Sequence, residues 1–160
     1  MSLCDRRAFL GGLAAVAGLA GCGFTPVYAP GGPGRALLGR LRADDPASRS
    51  DYLFVAALEE RLGRPSEPRF ALGYRISQRQ ITSVDAARQR ILGRLDYTLT
   101  DTATGTELTT GRVDAEASFG TTATQLAELT AAEDAELRLI RMLVDGLIMR
   151  LMTVPGLTAR

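Results

Sequence analysis

Whole classes of chemistry are missing from this sequence before any motif is sought. Its 160 residues contain no histidine and no tryptophan, and lysine and asparagine are absent too, so every basic side chain is an arginine. Without an imidazole there is no histidine general base, no Ser-His triad and no histidine metal ligand. Without lysine there is no Ser-Lys dyad, no Schiff base and no P-loop lysine. Cys4 and Cys22 are the only thiols. Carboxylates and hydroxyls remain, but a hydrolase built from them needs an acid pair in a cleft, and no such pair stands out. Asp44-Asp45, just before Pro46, reads as a loop, since no third ligand has suitable spacing. Neither an enzyme, nor a cofactor, nor a metal is therefore expected. The net charge of +1 gives no reason to expect nucleic-acid binding.

What is present begins with an address. Residues 1–21 read as a signal peptide: Arg6 and Arg7 charge the n-region, and Ala8 to Gly21 is uncharged and apolar. That run is shorter than the roughly 20 residues a spanning helix needs. It ends in Leu19-Ala20-Gly21-Cys22, which resembles the bacterial lipobox, where cleavage precedes an acylated cysteine. The resemblance marks Cys22 as the lipidation site, with palmitate-type acyl chains as the membrane anchor. Gly23, rather than Asp, follows it, which by the sorting rules of such lipoproteins permits passage to the outer membrane. Asp5-Arg6-Arg7-Ala8-Phe9-Leu10 also resembles a twin-arginine export motif, and the general secretory route fits equally. Removing Asp5, Arg6 and Arg7 from 18 acidic and 19 basic residues leaves the mature chain neutral.

Length predicts one domain. Residues 22–35, rich in Gly and Pro, read as a lipidated extended tether. Residues 36–154 read as the folded domain and 155–160 as a tail. Ala36–Arg42 reads as a first strand. Ser48 opens a helix, with Asp51 three residues on completing a capping pattern, and Gly63 and Pro65 close it. Alternating apolar positions then mark strands at Phe70 to Ile76, Ile91 to Leu99 and Leu108 to Phe119. Asp101 to Gly105 makes the last two a hairpin. A long helix starts between Thr122 and Thr130 and runs to about Met152. The order β-α-β-β-β-α predicts an α+β two-layer sandwich, with two helices packed on one face of a four-stranded mixed sheet.

Three segments carry a family resemblance. They are Cys22-Gly-Phe-Thr-Pro-Val-Tyr28, Leu95-Asp-Tyr-Thr-Leu-Thr-Asp101 with Gly105, and Phe119 followed by Ala131-Ala132-Glu-Asp-Ala-Glu136 and Leu147 to Leu151. In order and spacing they resemble LptE, the lipopolysaccharide-assembly lipoprotein family. The resemblance implies a non-enzymatic component of the lipopolysaccharide translocon. It would plug the lumen of the outer-membrane β-barrel LptD from the periplasmic side, assist its assembly and bind lipopolysaccharide. An independent envelope lipid-binding lipoprotein, or an auxiliary lipid-transport subunit, is the alternative.

Lipopolysaccharide carries lipid A phosphates, and arginine grips phosphate through a planar fork of donors. Arg75, Arg79, Arg88, Arg90, Arg94 and Arg112 fall on or near the second to fourth strands. Arg79, Arg88, Arg90 and Arg94 are the lipopolysaccharide-binding candidates, the first three flanking an expected exposed tip between strands two and three. Family members often carry basic residues near this connection, and Arg88 or Arg90 matches them best. A basic residue also occurs in the family at the start of the last helix; here Ala132 and Glu133 stand nearby. Leu139, Met142, Met149 and Met152 widen the apolar face of that helix, as core or as a partner surface.

Overall fold

A computed structural model describes residues 32–82, 88–121, 124–155 and Leu157. The expected signal peptide, Cys22 and most of the tether lie outside the described residues.

The elements run in the order α1 (Pro33–Leu37), β1 (Leu41–Ala43), α2 (Arg49–Leu62), β2 (Phe70–Thr82), β3 (Arg88–Asp101), β4 (Glu107–Gly120) and α3 (Gln125–Leu151). The sheet order is β1-β2-β3-β4, with β1 parallel to β2 and the other pairs antiparallel. A parallel pair needs a crossover, and α2 supplies it. The predicted α+β layering, with helices packed against a four-stranded mixed sheet, is therefore what the chain forms.

Local signals explain the elements. Ser48 Oγ accepts from Asp51 N–H, and the Asp51 carboxylate accepts in return from Ser48 N–H, so the capping box is complete. Gly63, at φ 77°, ends α2. Between β3 and β4, Asp101 Oδ1 accepts from the N–H groups of Ala103 and Thr104, and Gly105 takes φ 66° to close the turn.

Three expectations change. Residues 33–37, read partly as extended tether and partly as strand, form a short helix whose Gly34, Ala36 and Leu37 are buried. Pro33 sits in its first turn with φ already helical, and burying Leu37 needs the chain folded back on the core. The first strand shrinks to Leu41–Ala43. β2 and β3 run past their apolar alternation to Thr82 and from Arg88, because the ladder continues from Gln78 opposite Gly93 to Thr82 opposite Gln89. The last helix keeps to its expected bracket between Thr122 and Thr130, starting at Gln125 behind Thr124, which makes no side-chain cap. Thr130 instead lies inside the helix and bonds back to Leu126 C=O.

The core lies between the helices and one face of the sheet. Phe54 of α2 stacks on Tyr74 of β2 with ring centroids 4.6 Å apart. Over β3 and β4 the approach of α3 is set by two glycines. A Cβ on Gly93 would stand 2.9 Å from Leu139, and one on Gly146 would stand 2.7 Å from Val113. Each buried leucine contributes roughly 1.5–3 kcal/mol, and Leu95, Leu99, Leu139, Leu143 and Leu147 are all fully buried. Surface pairs then join the helices: Ser50 Oγ donates to Glu136 at 2.8 Å, and Arg61 lies 3.1 Å from Asp145.

Candidate functional site

Successive strand residues point to opposite faces, so the residues between the core positions share the face that no described helix covers. The register aligns them: Arg79 opposite Leu92, Arg75 opposite Asp96, Ser77 opposite Arg94, Arg90 opposite Ser118, and Arg94 opposite Asp114. All four candidate arginines, Arg79, Arg88, Arg90 and Arg94, fall on this open face, together with Arg75 and Arg112. Arg88 and Arg90 belong to β3 rather than to a loop, and Arg79 lies within β2. Antiparallel pairing therefore presents them as a rigid array toward the end of the sheet away from the Asp101–Gly105 turn.

Ion pairs divide the arginines. Arg94 Nε lies 2.9 Å from Asp114, Arg112 Nε lies 2.6 Å from Asp96, and Arg90 lies 3.3 Å from Glu116. The hydrogen bond and charge of Asp114 push the Arg94 guanidinium above its ordinary range. Arg75, Arg79 and Arg88 are exposed and form no ion pair with a described residue. Of the four candidates, Arg79 and Arg88 thus have no counter-ion among the described residues, while Arg90 and Arg94 share their charge with carboxylates. This division was invisible in the sequence, because each pair spans two strands.

Two shallow depressions mark the face. One, of about 450 Å³, is lined by Ser77, Arg79, Leu92, Arg94 and Asp114. The other, of about 530 Å³, is lined by Arg75, Asp96, Thr98 and Arg112. A guanidinium array over shallow ground suits phosphate or sugar groups held from one side, and it offers no nucleophile with an adjacent base. Among the described residues no group of three or more carboxylates or thiols could hold a metal, and no helix is long and apolar enough to cross a membrane.

The covered face holds one polar group that the sequence did not flag. Tyr74 Oη is buried among the described residues without a hydrogen-bond partner. Burial first, then the charges of Asp51, Asp44 and Asp45, push its pKa up to about 12. Glu133, near which the family carries a basic residue, lies two turns inside α3 rather than at its start and pairs with Arg49 at 3.5 Å. The apolar face of α3 resolves as well. Leu139 is core and Met152 is partly buried, while Met142 and Met149 are exposed.

The family model for lipopolysaccharide assembly, LptE, matches residues 38–151. The chain belongs to the LptE family. Comparison with curated proteins finds no match. Among solved structures, a lipoprotein of Caulobacter crescentus CB15 shares the fold at TM-score 0.68 and 20% identity, over 76% of this chain and 93% of that one. The minor lipoprotein of Acinetobacter baumannii does so at TM-score 0.51 and 15% identity, over 76% and 94%. Rare lipoprotein B of Shewanella oneidensis does so at 0.52 and 15%, over 71% and 91%. At these identities the likeness is one of fold. Family membership itself gives this LptE chain a part in lipopolysaccharide assembly, and the family is not one of enzymes.

Proposed function

We propose that this LptE-family chain is an outer-membrane lipoprotein of the lipopolysaccharide translocon. It is anchored through acylated Cys22 on the periplasmic side, plugs the lumen of an LptD barrel, assists the assembly of that barrel and binds lipopolysaccharide. The observation that carries the reading is the open sheet face, where Arg79 and Arg88 stand without a described counter-ion beside Arg90 and Arg94. Barrel lumens are polar, and a flat charged face on a rigid sheet suits such a wall. Phosphates docking on Arg79 and Arg88 would face no competing carboxylate among the described residues, whereas at Arg90 and Arg94 they would first have to displace Glu116 and Asp114. No catalytic step is assigned to the chain.

The test is purification of tagged full-length protein in mild detergent, with lipopolysaccharide binding measured on the product. An LptD-like barrel is expected in near-stoichiometric amount. Arg79, Arg88 and Arg90 all changed to Ala should weaken lipopolysaccharide binding by about tenfold or more, since each removes charge-assisted donors, while thermal unfolding stays unchanged. Unchanged binding would remove the arginine array from the proposal. Absence of any barrel, with Cys22 shown to be acylated, would leave an independent lipid-binding lipoprotein.

A further inference from the structure

The outer edge of β4 is a large feature of the fold that lipopolysaccharide binding leaves unused. β4 is an end strand of the sheet and runs over Glu107–Gly120 without a proline. Its backbone direction follows from the hairpin. Asp101 N–H donates to Thr106 C=O at 2.9 Å, so the odd-numbered residues of β3 turn their peptide groups toward β4. With Leu95 opposite Val113 and Arg94 opposite Asp114, the even-numbered residues Thr110 to Ser118 turn theirs outward. Ser118 shows this directly, because its carbonyl accepts from the Arg138 guanidinium at 3.2 Å. The ladder has one irregularity, between Glu107 and Thr109, and from Thr109 on it is regular. An edge of this length is a template for another strand unless it is covered.

Two features border the edge, one on each side. On the helix side, Arg138, Met142 and Gly146 make one row of α3 at four-residue spacing. Arg138 reaches Ser118 and Gly146 lies against Val113, so Met142 faces the stretch of β4 between them. Met142 is 41% exposed and Met149 is 66% exposed. On the open side, Arg112 and Asp114 stand two residues apart, each paired back to β3 through Asp96 and Arg94. A strand added here needs apolar side chains toward the methionines and alternating charges opposite Arg112 and Asp114. β4 of a second copy offers the charges, with Arg112, Asp114 and Glu116 on the open face. Because its Val113 and Ala117 are already buried in its own core, the apolar side chains beside this edge are its Met142 and Met149.

We propose that β4 pairs antiparallel with β4 of a second copy of this chain, about a two-fold axis through Val113. Arg112 then lies opposite Asp114 of the second copy, and Asp114 opposite Arg112. The row Arg94, Asp114, then Arg112 and Asp96 of the second copy, alternates in sign across four strands. Neighbouring registers fail on charge: an axis through Arg112 or Asp114 sets that residue against itself, and one through Ala115 sets Asp114 against Glu116. The interface is isologous, as a closed dimer requires. Its helix side brings Met142 and Met149 of both copies toward the axis, where flexible thioethers can pack. The inference rests on the β4 edge alone and not on the barrel reading.

The test uses full-length protein in mild detergent, in the fraction free of other proteins. T110C/E116C sets two thiols opposite each other across the proposed axis, where hydrogen-bonded partners have Cα atoms about 5.5 Å apart, within disulfide reach. Oxidation should give a covalent dimer joined between residues 110 and 116. T110C/S118C, which matches an axis through Asp114, should give about tenfold less, because its thiols lie out of register. M142E, at an exposed site outside the charge row, should weaken dimerisation of the otherwise unchanged chain by about tenfold or more in sedimentation equilibrium. Wild-type protein that sediments as a monomer at every concentration overturns the proposal. So does a 110–118 link that forms as readily as 110–116, or a dimer indifferent to M142E.

Discussion

Leu95 and Asp96 are neighbours on β3, yet they answer to different physics. Leu95 points into the core and is fully buried. Asp96 points to the open face, where it holds Arg112 across the strand and stays 42% exposed. The same alternation runs the length of β3 and β4. One face is specified by volume, down to glycines at 93 and 146 that let α3 approach. The other is specified by charge, with pairs that contribute little to folding and so are free to serve recognition. A single sheet can therefore separate stability from binding residue by residue.

This separation can be broken or sharpened by measurement. The largest effect is expected from Leu95→Ala, which should lose about 2–5 kcal/mol in denaturant unfolding, because it empties a packed site. A loss under about 1 kcal/mol would mean that the covered face is not the source of stability.

Tyr74→Phe comes next, because Tyr74 is a polar exception on the covered face. Its hydroxyl is buried and unpartnered, so its removal should be neutral or stabilising by about 1 kcal/mol at pH 7. The pH dependence has a definite sign. The folded pKa of about 12 lies above the ordinary value of 10. The tyrosine contribution is therefore present below pH 10 and is lost as pH rises through 12. Thermal unfolding from pH 8 to 12 should show a shallower alkaline decline in the variant than in the wild type.

The smallest effect belongs to Asp96→Ala. An exposed cross-strand pair is worth about 0–1 kcal/mol, so stability should barely move. A loss comparable to that of Leu95→Ala would erase the contrast between the faces.

Much of this fold was legible in the sequence where the determinants are local. Ser48 and Asp51 lie three residues apart and cap α2 as their spacing predicts. Asp101 and Gly105 set the β3–β4 turn within five consecutive positions. Alternation placed the arginines opposite the apolar residues of β3 and β4, which is why the candidates emerged together on one face. The misreadings came where the determinants are distant. Ser77 to Thr82 lacks apolar alternation, because no helix residue needs burying there, and it is strand only because β3 lies beside it. Residues 33–37 carry loop composition and become helical because Leu37 has a core to enter. The start of α3 was bracketed between Thr122 and Thr130 by local signals, and the fold sets it at Gln125 within that bracket.

By itself, then, the sequence determined which chemistry was excluded, where the two long helices and the apolar stretches of the three long strands lie, and which residues there would share a face. Those properties depend on residue types and on the periods of 2 and 3.6 that the backbone imposes. Only the tertiary structure decided which arginines keep free charge. Arg90, Arg94 and Arg112 find their carboxylates on an adjacent strand, whereas Arg75, Arg79 and Arg88 find none among the described residues. It alone also made β4 an end strand, with no described strand beyond it, beside Met142 and Met149. Strand register and the angle at which a helix lies on a sheet are set by packing between segments far apart in the chain.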